Sequence, residues 1–180
     1  DDDYALSPNQ GFFVQCPDAL KEIGFPIDGR QLTSEINSQN GSRAATASNR
    51  QLFDLQIAAG EMKDKTRLVI NPQAAMDYEI GCDASKFMAD DTDVAQIFSL
   101  GSDDTKYAIN ERPADNGTLK LGILFANDGQ YTLSAIRNEI GQVILTDNET
   151  GIKTDLQQNS YSFDAKAGTS EGRFVLTFGS

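Results

Sequence analysis

The chain is 180 residues long and carries 27 acidic against 15 basic side chains, a net charge of −12, with no histidine and no tryptophan. That charge repels phosphate backbones and anionic lipid surfaces, so nucleic acid is not an expected partner. No apolar run approaches the roughly 18 residues of a membrane-spanning helix, and membrane insertion is not expected either.

The opening "DDDYALSPNQ" is unlike a signal peptide, and a start at three aspartates without an initiator methionine reads as a mature chain, an already trimmed one or a fragment of something longer, the fragment being favoured. Apolar strand candidates follow at "GFFVQC", "EIGFPI", "LFDLQIAA", "TRLVINP" and "VAQIFSL". Between the second and third lies "NSQNGSRAATASNR", polar and small, which reads as an exposed loop. "DASKFMADDTDV" places Ala84, Phe87 and Met88 at helical spacing and predicts a short helical turn packed on the core. Residues 1–103 are expected to form a jelly-roll-like lobe.

From Asp104 onward the pattern is regular, with Gly117, Gly129, Gly141 and Gly151 marking turns at intervals of twelve, twelve and ten residues. Leu119, Leu121, Ile123 and Phe125 share one face of "TLKLGILF", and Tyr131, Leu133 and Ala135 one face of "QYTLSA". "KYAIN" precedes them; "QVILTD", "GIKTDL", "YSFDA" and "RFVLTF" follow, the last two separated by a glycine-punctuated connection. In that final pair Tyr161, Phe163 and Ala165, and then Phe174, Leu176 and Phe178, fall on core-facing positions. Residues 104–180 are expected to form an immunoglobulin-like lobe. The fold class predicted is therefore all-β, an antiparallel β-sandwich of two lobes.

The absence of histidine removes Ser–His and Cys–His dyads together with every histidine metal ligand. No GxSxG, no P-loop and no GxGxxG opening a helix is present. Paired carboxylates are guaranteed by abundance alone and carry no signal of glycoside hydrolysis. Asp90, Asp91 and Asp93 in "MADDTDV", and Asp103 and Asp104 in "GSDDT", are oxygen-rich but lack EF-hand spacing, so solvated acidic loops are the expectation. "DNETG", Asp147 to Gly151, reads as a hairpin turn with Asn148 and Gly151 able to take positive φ. Asn40, Asn116 and Asn148 each begin an N-x-[ST] triplet, a glycan acceptor in a eukaryotic secretory protein and a chance product of turn-rich composition otherwise. Without tryptophan, a carbohydrate platform would have to draw on Tyr4, Tyr78 and Tyr107. Cys16 and Cys82 either close one long loop as a disulfide or remain separate half-buried thiols; with no CxxC and no histidine they make no zinc site. No catalytic residue, cofactor-binding residue or metal ligand is assigned, and no cofactor is expected.

The order of "SPNQGFFVQC", "VAQIFSLGSDDTKYAINERP", "TLKLGILFANDGQYTLSA", "VILTDNETGIKTDL" and "YSFDAKAGTSEGRFVLTF" resembles the C-terminal β-sandwich region of large exported or cell-surface proteins of Bacteroidetes. The resemblance covers nearly the whole chain, is strongest from Ile97 to Phe178, and rests on turn glycines and alternating apolar positions. It implies a fold more directly than an activity. In that group strands precede the "GQGFFV"-like motif, whereas here ten residues precede Gly11. The first lobe is accordingly expected to lack opening strands, supplied by an upstream region of the same polypeptide or by another protein segment, with an unpaired edge open to β-augmentation. The function expected is a non-catalytic structural or adhesion module of a bacterial cell-surface or secreted protein, located at the cell surface or outside the cell. The alternative is a carbohydrate-binding module attached to a glycan-degrading system, with a surface glycan as partner.

Overall fold

A computed structural model describes residues 49–79, 82–89, 93–113 and 117–179. The expected strands "GFFVQC" and "EIGFPI", Cys16, Tyr4, Asn40, Asp90, Asp91 and Asn116 lie outside the described residues, as does most of "NSQNGSRAATASNR". The described chain is all-β, with no helix among those residues. Its strands are β1 (Gln51–Ala59), β2 (Met62–Ile70), β3 (Ala84–Ser85), β4 (Gln96–Leu100), β5 (Lys106–Arg112), β6 (Thr118–Phe125), β7 (Gly129–Asn138), β8 (Val143–Asp147), β9 (Lys153–Asp155), β10 (Tyr161–Ala165) and β11 (Gly168–Phe178).

These strands form one continuous sheet in the order β10-β7-β1-β2-β5-β4-β6-β11-β8-β9, with β3 added to β5. The sheet rolls on itself into a nearly closed, barrel-like shape. Its two ends meet through side chains: the ring of Phe163 on β10 lies 4.7 Å from that of Phe174 on β11, and the Tyr161 hydroxyl donates to Asp147 on β8. Alternation drives the roll. Leu119, Leu121, Ile123 and Phe125 on β6 are all buried, as are Tyr131 and Leu133 on β7 and Phe174, Leu176 and Phe178 on β11. Together with Phe53, Leu55 and Ile57 of β1 they fill one interior. Burial of each such side chain contributes about 1.5–3 kcal/mol, so the inward faces hold the sheet curled against its edges.

Several expectations are corrected here. The sheet is mixed rather than purely antiparallel, because β2 and β5 run parallel with Arg67 opposite Ile109. Parallel neighbours need a crossover long enough to return the chain, and residues 71–105 supply one that carries β3 and β4 on its way. The boundary expected between residues 103 and 104 falls inside this sheet: β1 pairs with β7, β2 with β5, and β4 with both β5 and β6. No helical turn forms around Phe87 among the described residues; Ala84 and Ser85 instead pair with β5, and Phe87 is 58% exposed rather than packed in the core. β11 begins at Gly168, so most of the glycine-punctuated stretch is strand; β10 pairs with β7, and β11 with β6 and β8.

Two glycines are dictated by packing and backbone. A Cβ on Gly122 would lie 2.1 Å from a ring carbon of Phe98, so the Phe98 ring occupies the space a side chain would need. Gly172, at φ +79°, sits where β11 slips its register against β6 between Glu171 and Val175. The slip is a β-bulge, which bends the strand and re-aims the neighbouring side chain.

Candidate functional site at the seam of the sheet

The residue re-aimed by that bulge is Arg173. Its guanidinium packs 4.9 Å from the centre of the Phe163 ring and 4.8 Å from that of Phe174, and its Nε and Nη2 donate to the two carboxylate oxygens of Asp147 at 3.0 and 2.9 Å. Nη1 reaches Glu149 at 2.8 Å. Asp147 is fully buried (0% exposed), since it continues the inward parity of Val143 and Leu145 along β8. It also accepts hydrogen bonds from the Tyr161 hydroxyl at 2.8 Å and from the Glu149 backbone N–H at 2.9 Å. Burial pushes the Asp147 carboxyl up, but the Arg173 and Tyr161 hydrogen bonds, the Glu149 N–H and the Arg173 charge outweigh it and hold the group at about 2. Burial together with the Asp147 charge pushes the Tyr161 phenol up.

The "DNETG" segment is the β8–β9 turn around this carboxylate. Gly151 takes φ +73° and donates to the Asp147 carbonyl at 2.7 Å. Asn148 is not in the positive-φ region; its backbone N–H donates to the Arg173 carbonyl at 2.8 Å and its side-chain amide to the Gly172 carbonyl at 2.9 Å. The amide nitrogen of this N-x-T triplet therefore braces the bulge.

Beside the knot lies an open cleft of about 470 Å³. Asp164, Ala165 and Lys166 at the end of β10 line it, as do Gly168, Thr169 and Ser170 at the start of β11. Phe125, Glu149 and Arg173 complete it, along with Ala167. The cleft follows from the register. β8 pairs with β11 only from Phe174 onward, so Gly168–Glu171 has β6 on one side and no strand on the other among the described residues. β10, the last strand of the path, likewise has only β7 beside it. Two bonds tie down the adjoining turns: the Ala167 N–H donates to Asp128 at 2.8 Å, and the Tyr131 hydroxyl donates to the Asn127 carbonyl at 2.6 Å.

The remaining candidates among the described residues lie elsewhere. Asp103 caps the β4–β5 hairpin, accepting from the Thr105 hydroxyl at 2.8 Å and the Thr105 N–H at 3.2 Å; these bonds lower its pKa. Asp104 takes φ +63° in the same turn, and Asp93 is exposed. Among the described residues no group of three or more Cys, Asp or Glu is arranged to hold a metal ion. Tyr107 is buried with its ring 5.8 Å from that of Tyr78, which is 43% exposed. Cys82 is half-buried beside the turn from Glu79 to Asp83. Two further ion pairs brace β1 and its neighbours: Asp54 and Arg67 sit opposite each other across β1 and β2 in a bidentate pair at 2.6 and 2.8 Å, and Arg50 pairs with the buried Glu111. The Arg67 hydrogen bonds lower the Asp54 pKa against its burial.

Sequence reasoning placed Tyr161 on the core face and Asp147 in a hairpin turn, but gave neither of them, nor Arg173, a part in a site. The signals were present: an acidic residue on the inward parity of "VILTD", and a glycine interrupting an alternating strand in "EGRF".

The fold and its seam define an all-β domain made of one rolled, bulge-opened sheet. The chain belongs to the family described as a domain of unknown function, DUF8693, whose model matches residues 2–178. Comparison with curated proteins and with solved structures found no match.

Proposed function

We propose that this domain is a non-catalytic structural or adhesion module of an exported bacterial cell-surface or secreted protein, its two curved arms acting as the two layers of a β-sandwich. The observation that carries the reading is the state of Asp147. A buried carboxyl with a strongly shifted pKa is where catalysis would first be sought. Here the carboxylate is engaged by Arg173 through two bonds, by Tyr161 and by the Glu149 N–H, and it is closed to solvent, so its chemistry is spent on holding strands together. The resemblance of the strand motifs to Bacteroidetes surface proteins supports the same reading and the extracellular location.

The carbohydrate-binding alternative calls for a concave face with two or more exposed tyrosines. Of the tyrosines described, Tyr107, Tyr131 and Tyr161 are buried and Tyr78 alone is exposed, which favours assembly over sugar binding. The test is a broad panel of glycosidase, esterase and peptidase substrates, run beside a glycan array. No turnover and no array signal are expected. Turnover abolished by replacing a single carboxylate in a chain that still folds defeats the proposal, and glycan binding shifts it to the alternative.

A further inference from the structure

We infer that the seam accepts an extended, lysine- or arginine-bearing segment of another polypeptide, which adds as a further strand to the edge of β10 that has no neighbour among the described residues. The inference deepens the assembly reading above and rests on it. Three independent features converge. The strand order leaves β10 without a second neighbour among the described residues, and the bulge at Gly172 leaves Gly168–Glu171 of β11 open on its side facing away from β6. An unpaired edge presents backbone donors and acceptors that an incoming strand satisfies. The walls carry little bulk: Ala165, Ala167 and Gly168 line the cleft, and small side chains are what allow a second backbone to come close.

Charge selects the occupant. Glu149 is held by Arg173 at 2.8 Å, yet its side chain is 62% exposed where it lines the cleft, and Asp164 is exposed on β10. Arg173 is already engaged by Asp147, leaving Lys166 as the cleft's other cation. The surrounding chain has a net charge of −12, which disfavours a second copy of itself on the same edge and favours a cationic segment.

The test uses the full chain and a short fluorescein-labelled peptide alternating valine with lysine. It is compared with the same peptide carrying glutamate for lysine and with a version N-methylated along its backbone. Anisotropy is expected to show binding of the lysine peptide, at least roughly tenfold weaker binding of the glutamate peptide, and none of the N-methylated one. Amide shifts should concentrate on Tyr161–Ala165 and Gly168–Glu171. Asp164→Lys, at an exposed position, should reverse the preference between the two charges. No binding, equal binding of the N-methylated peptide, shifts elsewhere on the sheet, or self-association through β10 in sedimentation would each overturn the inference. Turnover on the substrate panel would instead defeat the non-catalytic reading, so the two failures are separable.

Discussion

Replacing Asp147 by Asn keeps the shape of the side chain and removes its charge, while Arg173 retains its contact with Glu149 and its place between two phenylalanine rings. The magnitude follows from the pKa. A carboxyl held at about 2 instead of the ordinary 3.8 corresponds, at ~1.36 kcal/mol per pH unit, to roughly 2–3 kcal/mol of stability. The sign is that of a depressed acid: the contribution is complete above the unfolded-state pKa near 4 and is lost as pH falls through about 2. Urea unfolding followed by far-ultraviolet circular dichroism should therefore place Asp147→Asn about 2–3 kcal/mol below the parent at pH 7, with the gap narrowing between pH 4 and pH 2. Combining it with Arg173→Met should cost less than the sum of the two single changes, since each removes the other's buried partner. A gap independent of pH, or smaller than about 0.5 kcal/mol at pH 7, would refute the claim that the Asp147–Arg173 pair fastens the seam.

Three further outcomes are expected. Gly122→Ala should cost at least about 2 kcal/mol, because its Cβ would enter the Phe98 ring at 2.1 Å, and Phe98→Leu in that background should recover part of the loss; a neutral Gly122→Ala in a melt contradicts this. Ser99 is 1% exposed with an Oγ that has no hydrogen-bond partner among the described residues, so Ser99→Ala should leave stability unchanged or raise it by up to about 1 kcal/mol, and a clear loss in denaturant midpoint would show a hidden partner. Ending the chain after Glu171 removes Phe174, Leu176 and Phe178, together about 5–9 kcal/mol of burial and comparable to a domain's whole stability, so cooperative unfolding should disappear, whereas Thr177→Ser on the exposed face should change little. Slow amide exchange between Lys120 and Leu145 in the shortened chain would count against it.

What the sequence discloses here is local, and what it conceals is pairing. The inward sets of β6, β7, β10 and β11 were readable because period-two alternation reports which face a strand buries. Alternation is silent about neighbours. Nothing in "YSFDA" and "RFVLTF" distinguishes two strands that pair from two that face each other across an interior, and the link that sends them to β7 and β6 is set by the whole sheet order. The parallel contact of β2 with β5 is hidden for the same reason. At Phe87 the helical spacing misled because a two-residue ladder to β5 determines the backbone there, a tertiary effect that overrides local pattern. Asp147 was legible in position but not in role: its parity announced burial, while its partner depends on a bulge that shifts Arg173 off the alternation of its own strand.

The bulge also explains why the latch and the opening occur together. Without the extra residues at Gly172, β11 would hold one register against β6, and Arg173, adjacent to the inward Phe174, would point away from the interior. Asp147 would then be a buried carboxylate without its cation, a state that costs several kcal/mol. The same extra residues bend β11 at the point where its pairing with β8 ends, which leaves Gly168–Glu171 open. A substitution that strains the positive φ of Gly172 should therefore loosen the ion pair and disturb the open edge at once. Gly172→Val is expected to raise the Asp147 pKa, read from side-chain carboxyl resonances, and to speed amide exchange at Asn148, whose N–H and side-chain amide both hold the bulge. Movement of one observable without the other would mean that the ion pair and the bulge are separate features that merely lie side by side.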